Sequence, residues 1–109
     1  MGLITATIRK AQLNNYRLDL EYRMQLINTS KLNLSQTVNE LLSVSSDLDV
    51  NSPEAKALEK RKERLYLVEK KLEEQAQRFE TQLKMVEAEL QSCDQMIDKN
   101  IQYSYGGGR

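Results

Sequence analysis

Chemistry at neutral pH usually starts from histidine, and this 109-residue sequence has none. Without it the chain lacks the common general base, the Ser-His and Cys-His nucleophile pairs, and the most frequent zinc ligand. One thiol is present, Cys93. It recurs in step with large apolar residues, which points to a small hydrophobe in a helix seam rather than a reactive thiolate. As the sole cysteine it has no partner within the chain, so no disulfide framework is expected. The carboxylates are spread over positions that read as exposed helix faces, with no concave site to perturb their pKa. A di-iron centre would need Glu-x-x-His pairs aimed into a bundle, which this composition forbids. There is no glycine-rich phosphate loop. The sequence therefore predicts no catalytic, metal or cofactor-binding residues and no cofactor: not an enzyme.

The charges lead to the same place. Lys plus Arg and Asp plus Glu number 16 each, for a net charge of zero. A nucleic-acid binder would show a basic excess or a basic face. The most basic stretch, Lys60-Arg61-Lys62 with Arg64, is interleaved with Glu59 and Glu63 and reads as a solvated helix face. No nucleic-acid partner is expected. A membrane partner is disfavoured too. No stretch approaches the roughly 18 uncharged apolar residues of a span. Ala6 stands where a myristoylation signal wants Ser or Thr. Only Arg9, Lys10, Arg17 and Arg23 could flank an apolar stripe at a lipid surface. The N-terminus has no Sec-type leader pattern, so the default expectation is cytoplasmic, with non-Sec export to the cell surface left open.

What remains is a chain built to hold protein to protein, and its elements are long helices. Of four Gly, three lie in the tail, and there is one Pro. Residues 3 to 105 are thus almost free of the two residues that break helices. Every seventh residue from Ala6 is apolar: Leu13, Leu20, Ile27, Leu34, Leu41 and Leu48. A second ladder runs Leu58, Leu65, Leu72, Phe79, Val86 and Cys93. From Leu72 to Ile97 the apolar spacing alternates 4 and 3 through Ala76, Leu83 and Leu90. A repeat of 3.5 residues keeps one seam in contact over many turns of two helices. Between the ladders, Ser52-Pro53-Glu54 is a helix start: a capping hydroxyl, a proline at the first helical position, and an acid at the positive end of the dipole.

The predicted fold is all-α: one antiparallel two-helix coiled-coil hairpin over 1–105, packed into an oligomeric bundle or filament. Helix 1 is placed at about 3–46, the turn at about 47–52, and helix 2 at about 53–102, each helix about 65 to 75 Å long. Tyr103 to Arg109 should fray, since Gly106-Gly107-Gly108 hold a helix poorly, and 106–109 reads as a flexible tail. A short connection forces antiparallel packing. The expected register sets Leu13 near Leu90, Leu20 near Leu83, Met24 near Phe79 and Val38 near Leu65. The intramolecular seam is then Leu13, Leu20, Met24, Ile27, Leu34, Val38 and Leu41 against Leu58, Leu65, Leu72, Phe79, Leu83, Val86, Leu90 and Ile97. Arg17, Lys31, Lys62 and Glu69 also fall on seam positions, where charge costs stability but sets register. Lys31 and Glu69 are expected to lie close enough to pair.

Helix 1 carries more than its seam. Ile4, Ile8, Ala11, Leu18 and Tyr22 form a second apolar stripe, continued more thinly by Leu32, roughly 140° or more from the first. One partner helix cannot cover both, and two helices alone make little core. About a third of the first fifty residues are Asn, Gln, Ser or Thr, whereas helix 2 carries Lys and Glu. An amide- and hydroxyl-rich face can be buried against another subunit without stranding charge. Helix 1 is therefore expected to face an assembly, with protein partners and most simply as a homo-oligomer.

A Leu-patterned first helix rich in Asn, Gln and Ser, a short turn with Pro53, and a charged second helix resemble the small bacterial helical-hairpin proteins of flagellar and type III secretion systems. Needle subunits, terminal flagellin helices and export-stalk proteins share that build. The chain departs from the small ESX-type secreted hairpins, because it has no Trp for their central Trp-x-Gly. The resemblance implies a structural subunit that self-associates through helix 1 in a filament or secretion-type assembly. Its alternative is a coiled-coil adaptor or chaperone for a partner protein of an export apparatus.

Overall fold

The computed structural model describes residues 2–107, with side chains over residues 2–102. It consists of two helices, α1 (Leu3–Ser45) and α2 (Pro53–Gly107), packed against each other, and no strand occurs among the described residues. This is the all-α hairpin that the two heptad ladders predict. Inter-helix partners descend α2 as the chain climbs α1: Arg9 meets Glu89, Tyr16 meets Gln82 and Arg23 lies over Phe79. The pairing is antiparallel.

The chain resolves into two compact units, each holding a stretch of both helices: Met1–Arg23 with Phe79–Arg109, and Met24–Arg78. In the first unit the core is Leu13, Leu20, Val86, Leu90 and Cys93, with Phe79 and Leu83 packed against it and Ala6 also buried. Leu20 is the most deeply enclosed large side chain, and Ile97 is half-buried. Cys93 is free and buried, the small apolar filler expected of its heptad position. In the second unit only Ile27 is fully buried. Met24, Leu34, Val38 and Leu41 from α1 and Leu58, Leu65 and Leu72 from α2 are half-buried. The reason is chemical. Three of this unit's seam positions hold Lys31, Lys62 and Glu69. Long charged side chains cover the seam with their stems while their heads reach for water, leaving the layers less closed.

The turn is built from side-chain hydrogen bonds. Among the described residues no backbone takes a positive φ, so α1 ends without a left-handed cap. Its last carbonyls are met instead by hydroxyls and tightened turns. Ser45 Oγ donates to the Leu42 carbonyl at 3.0 Å and Ser46 Oγ to that of Ser43 at 2.8 Å. The Asp47 and Leu48 amides donate three residues back. Asp49 then accepts from the Asn51 amide through its carboxylate at 3.3 Å and from the Ser52 hydroxyl through its carbonyl at 2.8 Å. Ser52 Oγ receives the Ala55 amide at 3.1 Å, an N-cap bond to the third residue of α2.

One boundary differs from expectation. The glycines predict an end of α2 near residue 102, but the helix runs through Tyr103 to Gly107. A glycine costs a helix only about 1 kcal/mol relative to alanine. Extending an existing helix adds one hydrogen bond per residue fixed, far cheaper than starting one. Gly108 and Arg109 lie outside the described residues.

Candidate protein-binding surface

The surface of the first unit carries side chains that clamp α1 to α2 and, outside them, an exposed apolar stripe on α1. The clamp consists of Arg9 Nη2 to Glu89 Oε2 at 2.8 Å, Lys10 Nζ to Asp94 Oδ1 at 2.6 Å, and Tyr16 donating its hydroxyl to Gln82 Oε1 at 3.5 Å. The Asp94 carboxylate accepts a hydrogen bond from the Lys10 ammonium and adds its charge, raising the lysine pKa above its usual value. Arg23 contacts both helices. Its Nε pairs with Asp19 at 3.1 Å, and its guanidinium lies 6.0 Å above the centre of the Phe79 ring. Glu80 and Lys84, one turn apart on α2, pair on the surface at 3.7 Å. The pairs within one helix, Arg23 with Asp19 and Lys84 with Glu80, each contribute a few tenths of a kcal/mol.

The second apolar stripe lies outside this clamp. Ile4, Ile8, Ala11, Leu18 and Tyr22 are all exposed, and the four large ones leave 54% to 76% of their surface in solvent. Leu32, in the second unit, is 72% exposed. The heptad seam and this stripe share α1, so its apolar character points two ways and nearly cancels around the helix axis. α2 is on average more one-sided. The stripe is also uncharged. Arg9, Lys10 and Arg17, the only charged residues between Leu3 and Leu18, sit on or beside the seam, two of them bonded to α2.

The seam charges behave less simply. Arg17 is half-buried, its Nε is shielded from solvent with no hydrogen-bond partner, and Glu21 Oε1 stands 3.8 Å away. Lys31 and Glu69 line one cleft with Asn28, Leu32 and Ser35, but no ion pair joins them. Lys62 pairs instead with Glu59 of its own helix at 3.0 Å. A contact between neighbouring turns forms without ordering two distant side chains, and so it wins. In the basic stretch, Lys60, Arg61 and Arg64 are exposed.

One feature of the second unit was not anticipated from the sequence. An open groove of about 600 Å³ is lined by Val38, Glu59, Lys62, Glu63, Tyr66, Leu67 and Glu69. Tyr66 and Leu67 are well exposed beside the seam residue Leu65. The run Leu65-Tyr66-Leu67-Val68 was the available signal. Four consecutive apolar residues on a helix cannot all face one seam. No group of histidine, cysteine, aspartate and glutamate side chains suited to a metal ion exists among the described residues. No helix among them is long and apolar enough to cross a membrane. Comparison with protein-family models, with curated proteins and with solved structures finds no match.

Proposed function

We propose that this chain is a non-enzymatic assembly subunit that associates with copies of itself through the outer face of α1. The observation that carries this reading is the exposure of Ile4, Ile8, Leu18 and Tyr22 on one uncharged stripe that α2 does not cover. A row of large apolar side chains left in water on one helix face supports a contact site there. A filament or a secretion-type assembly, as the resemblance implies, is one setting for such a subunit. The test is sedimentation equilibrium over a wide concentration range. Wild-type protein should show mass rising above the monomer. Leu18→Asp with Tyr22→Asp should reduce it to monomer while helical circular dichroism stays nearly unchanged. Loss of helix content in that variant would instead place the two residues in the internal core.

The groove beside Tyr66 and Leu67 favours a second reading, a coiled-coil adaptor that holds a partner protein. A mass that stays monomeric at every concentration would select it over self-assembly.

A further inference from the structure

Resting on self-association through α1, we infer that the outer stripe pairs antiparallel with the same stripe of a second copy, about a two-fold axis level with residue 13. The stripe has one more member than its apolar residues show. Asn15 is exposed on the same face and completes the series Ile4, Ile8, Ala11, Asn15, Leu18, Tyr22. The spacing is 4, 3, 4, 3, 4, a second heptad ladder back to back with the seam. Reversed end to end, the series keeps its spacing and its order of sizes: two large residues, two small, two large.

Antiparallel helices set the two kinds of core position against each other, as the seam between α1 and α2 is expected to do. Applied to this ladder, the rule brings Ile4 opposite Tyr22, Ile8 opposite Leu18 and Ala11 opposite Asn15. Each layer occurs twice. The small layers fall at the middle, where crossing helices come closest, and the large ones where the helices diverge. Charge points the same way. In a parallel pair Glu21 of one copy would lie beside the exposed apolar Leu26 of the other. In the antiparallel pair Asp19 and Glu21 lie alongside the neutral Thr5 and Thr7. Antiparallel helix dipoles also attract rather than repel. A two-fold contact of one surface with itself closes on two copies, so this face yields a dimer of hairpins, and longer assemblies need another surface.

Charge placement at the central layers tests the orientation. Ala11→Lys alone and Asn15→Asp alone should each weaken association about tenfold or more, by burying unpaired charge. The double variant should recover most of that loss, because each new cation faces an anion of the other copy. A parallel pair would set like against like, and the double variant would then bind more weakly than either single one. That result would overturn the inference. Thiol cross-linking in a Cys93→Ala background gives an independent readout. A mixture of Ile8→Cys and Leu18→Cys chains should link, whereas either chain alone should not. Self-linking of each variant alone would show parallel pairing. Wild-type protein that sediments as a monomer throughout would instead remove self-association itself, a failure distinct from a wrong orientation.

Discussion

Arg17 shows what a single seam position can cost. Its Nε is shielded from water and bonded to no protein group, and Glu21 is too far for a hydrogen bond. A donor removed from water without a partner is destabilising, while a charge at a coiled-coil core position favours one register over others. Arg17→Leu should therefore raise the stability of the hairpin by about 1 kcal/mol, read as a higher urea midpoint. A lower midpoint would mean that the aliphatic stem and the Glu21 contact outweigh the orphaned donor. Lys10 makes the opposite case, a seam cation with a partner. Its pKa is raised above the usual 10.5 by the hydrogen bond to Asp94 and by that carboxylate's charge. A folded-state pKa above the unfolded one means that the pair's stabilisation is fully present below pH 10.5. It is lost as pH climbs through the higher folded value. The urea midpoint of wild type should exceed that of Lys10→Met at neutral pH, and as pH rises from neutral the gap should narrow only above pH 10.5. A gap that closes on the alkaline side well before pH 10.5 would assign the effect to another group.

At the scale of the element, each helix is stabilised at one end and left plain at the other. α2 begins on a hydroxyl cap, a proline and Glu54. α1 starts with no acidic residue in its first turn and ends with no basic one in its last. Its C-terminal carbonyls rely on Ser45 and Ser46. Ser52 is the pivot, since its hydroxyl donates to Asp49 and accepts from Ala55. Ser52→Ala removes both bonds and should cost about 1 kcal/mol, whereas Ser52→Asp, which keeps the acceptor, should cost less. Equal losses in thermal melts of the two variants would show that the bond to Asp49, not the cap, holds the turn. The contrast between the units is also an element-scale effect. The core of the first is closed by Leu13, Leu20, Val86, Leu90 and Cys93, while Lys31, Lys62 and Glu69 occupy three seam positions of the second. Amide hydrogen exchange should therefore be slower in the first unit than in the second, away from the helix ends.

For the molecule as a whole, the unresolved term is the uncovered half of α1. Two helices give each other one seam, and the stripe from Ile4 to Tyr22 remains in water in the single chain. If a second copy covers it, folding and association are linked, and stability must depend on protein concentration. The melting temperature should rise over a hundredfold increase in concentration, and Leu18→Asp with Tyr22→Asp should abolish that rise. A concentration-independent melt in wild type would point to the adaptor reading and direct attention to the groove at Tyr66 and Leu67.

The sequence by itself determined the two helices, their antiparallel pairing, the cap at Ser52 and the split of α1 into a seam face and an outer face. These follow from periodicity and from short-range hydrogen bonding. Both are legible because a helix fixes which residues three and four apart share a side. Leu13 and Leu20 are buried and Ile4 and Ile8 exposed for that reason alone. Only the tertiary structure decided which charges pair. Lys10 with Asp94 and Arg9 with Glu89 depend on register across two helices, and Lys31 with Glu69, close on paper, do not bond. It also decided that Tyr66 and Leu67 open onto a groove, and that α2 continues through two glycines where composition argued for an end. Register across the two helices decides the inter-helix ion pairs, and no single stretch of the chain encodes it. The local i,i+3 pairing of Lys62 and the low cost of extending a formed helix do lie in single stretches, but their balance against the alternatives shows only in the folded chain.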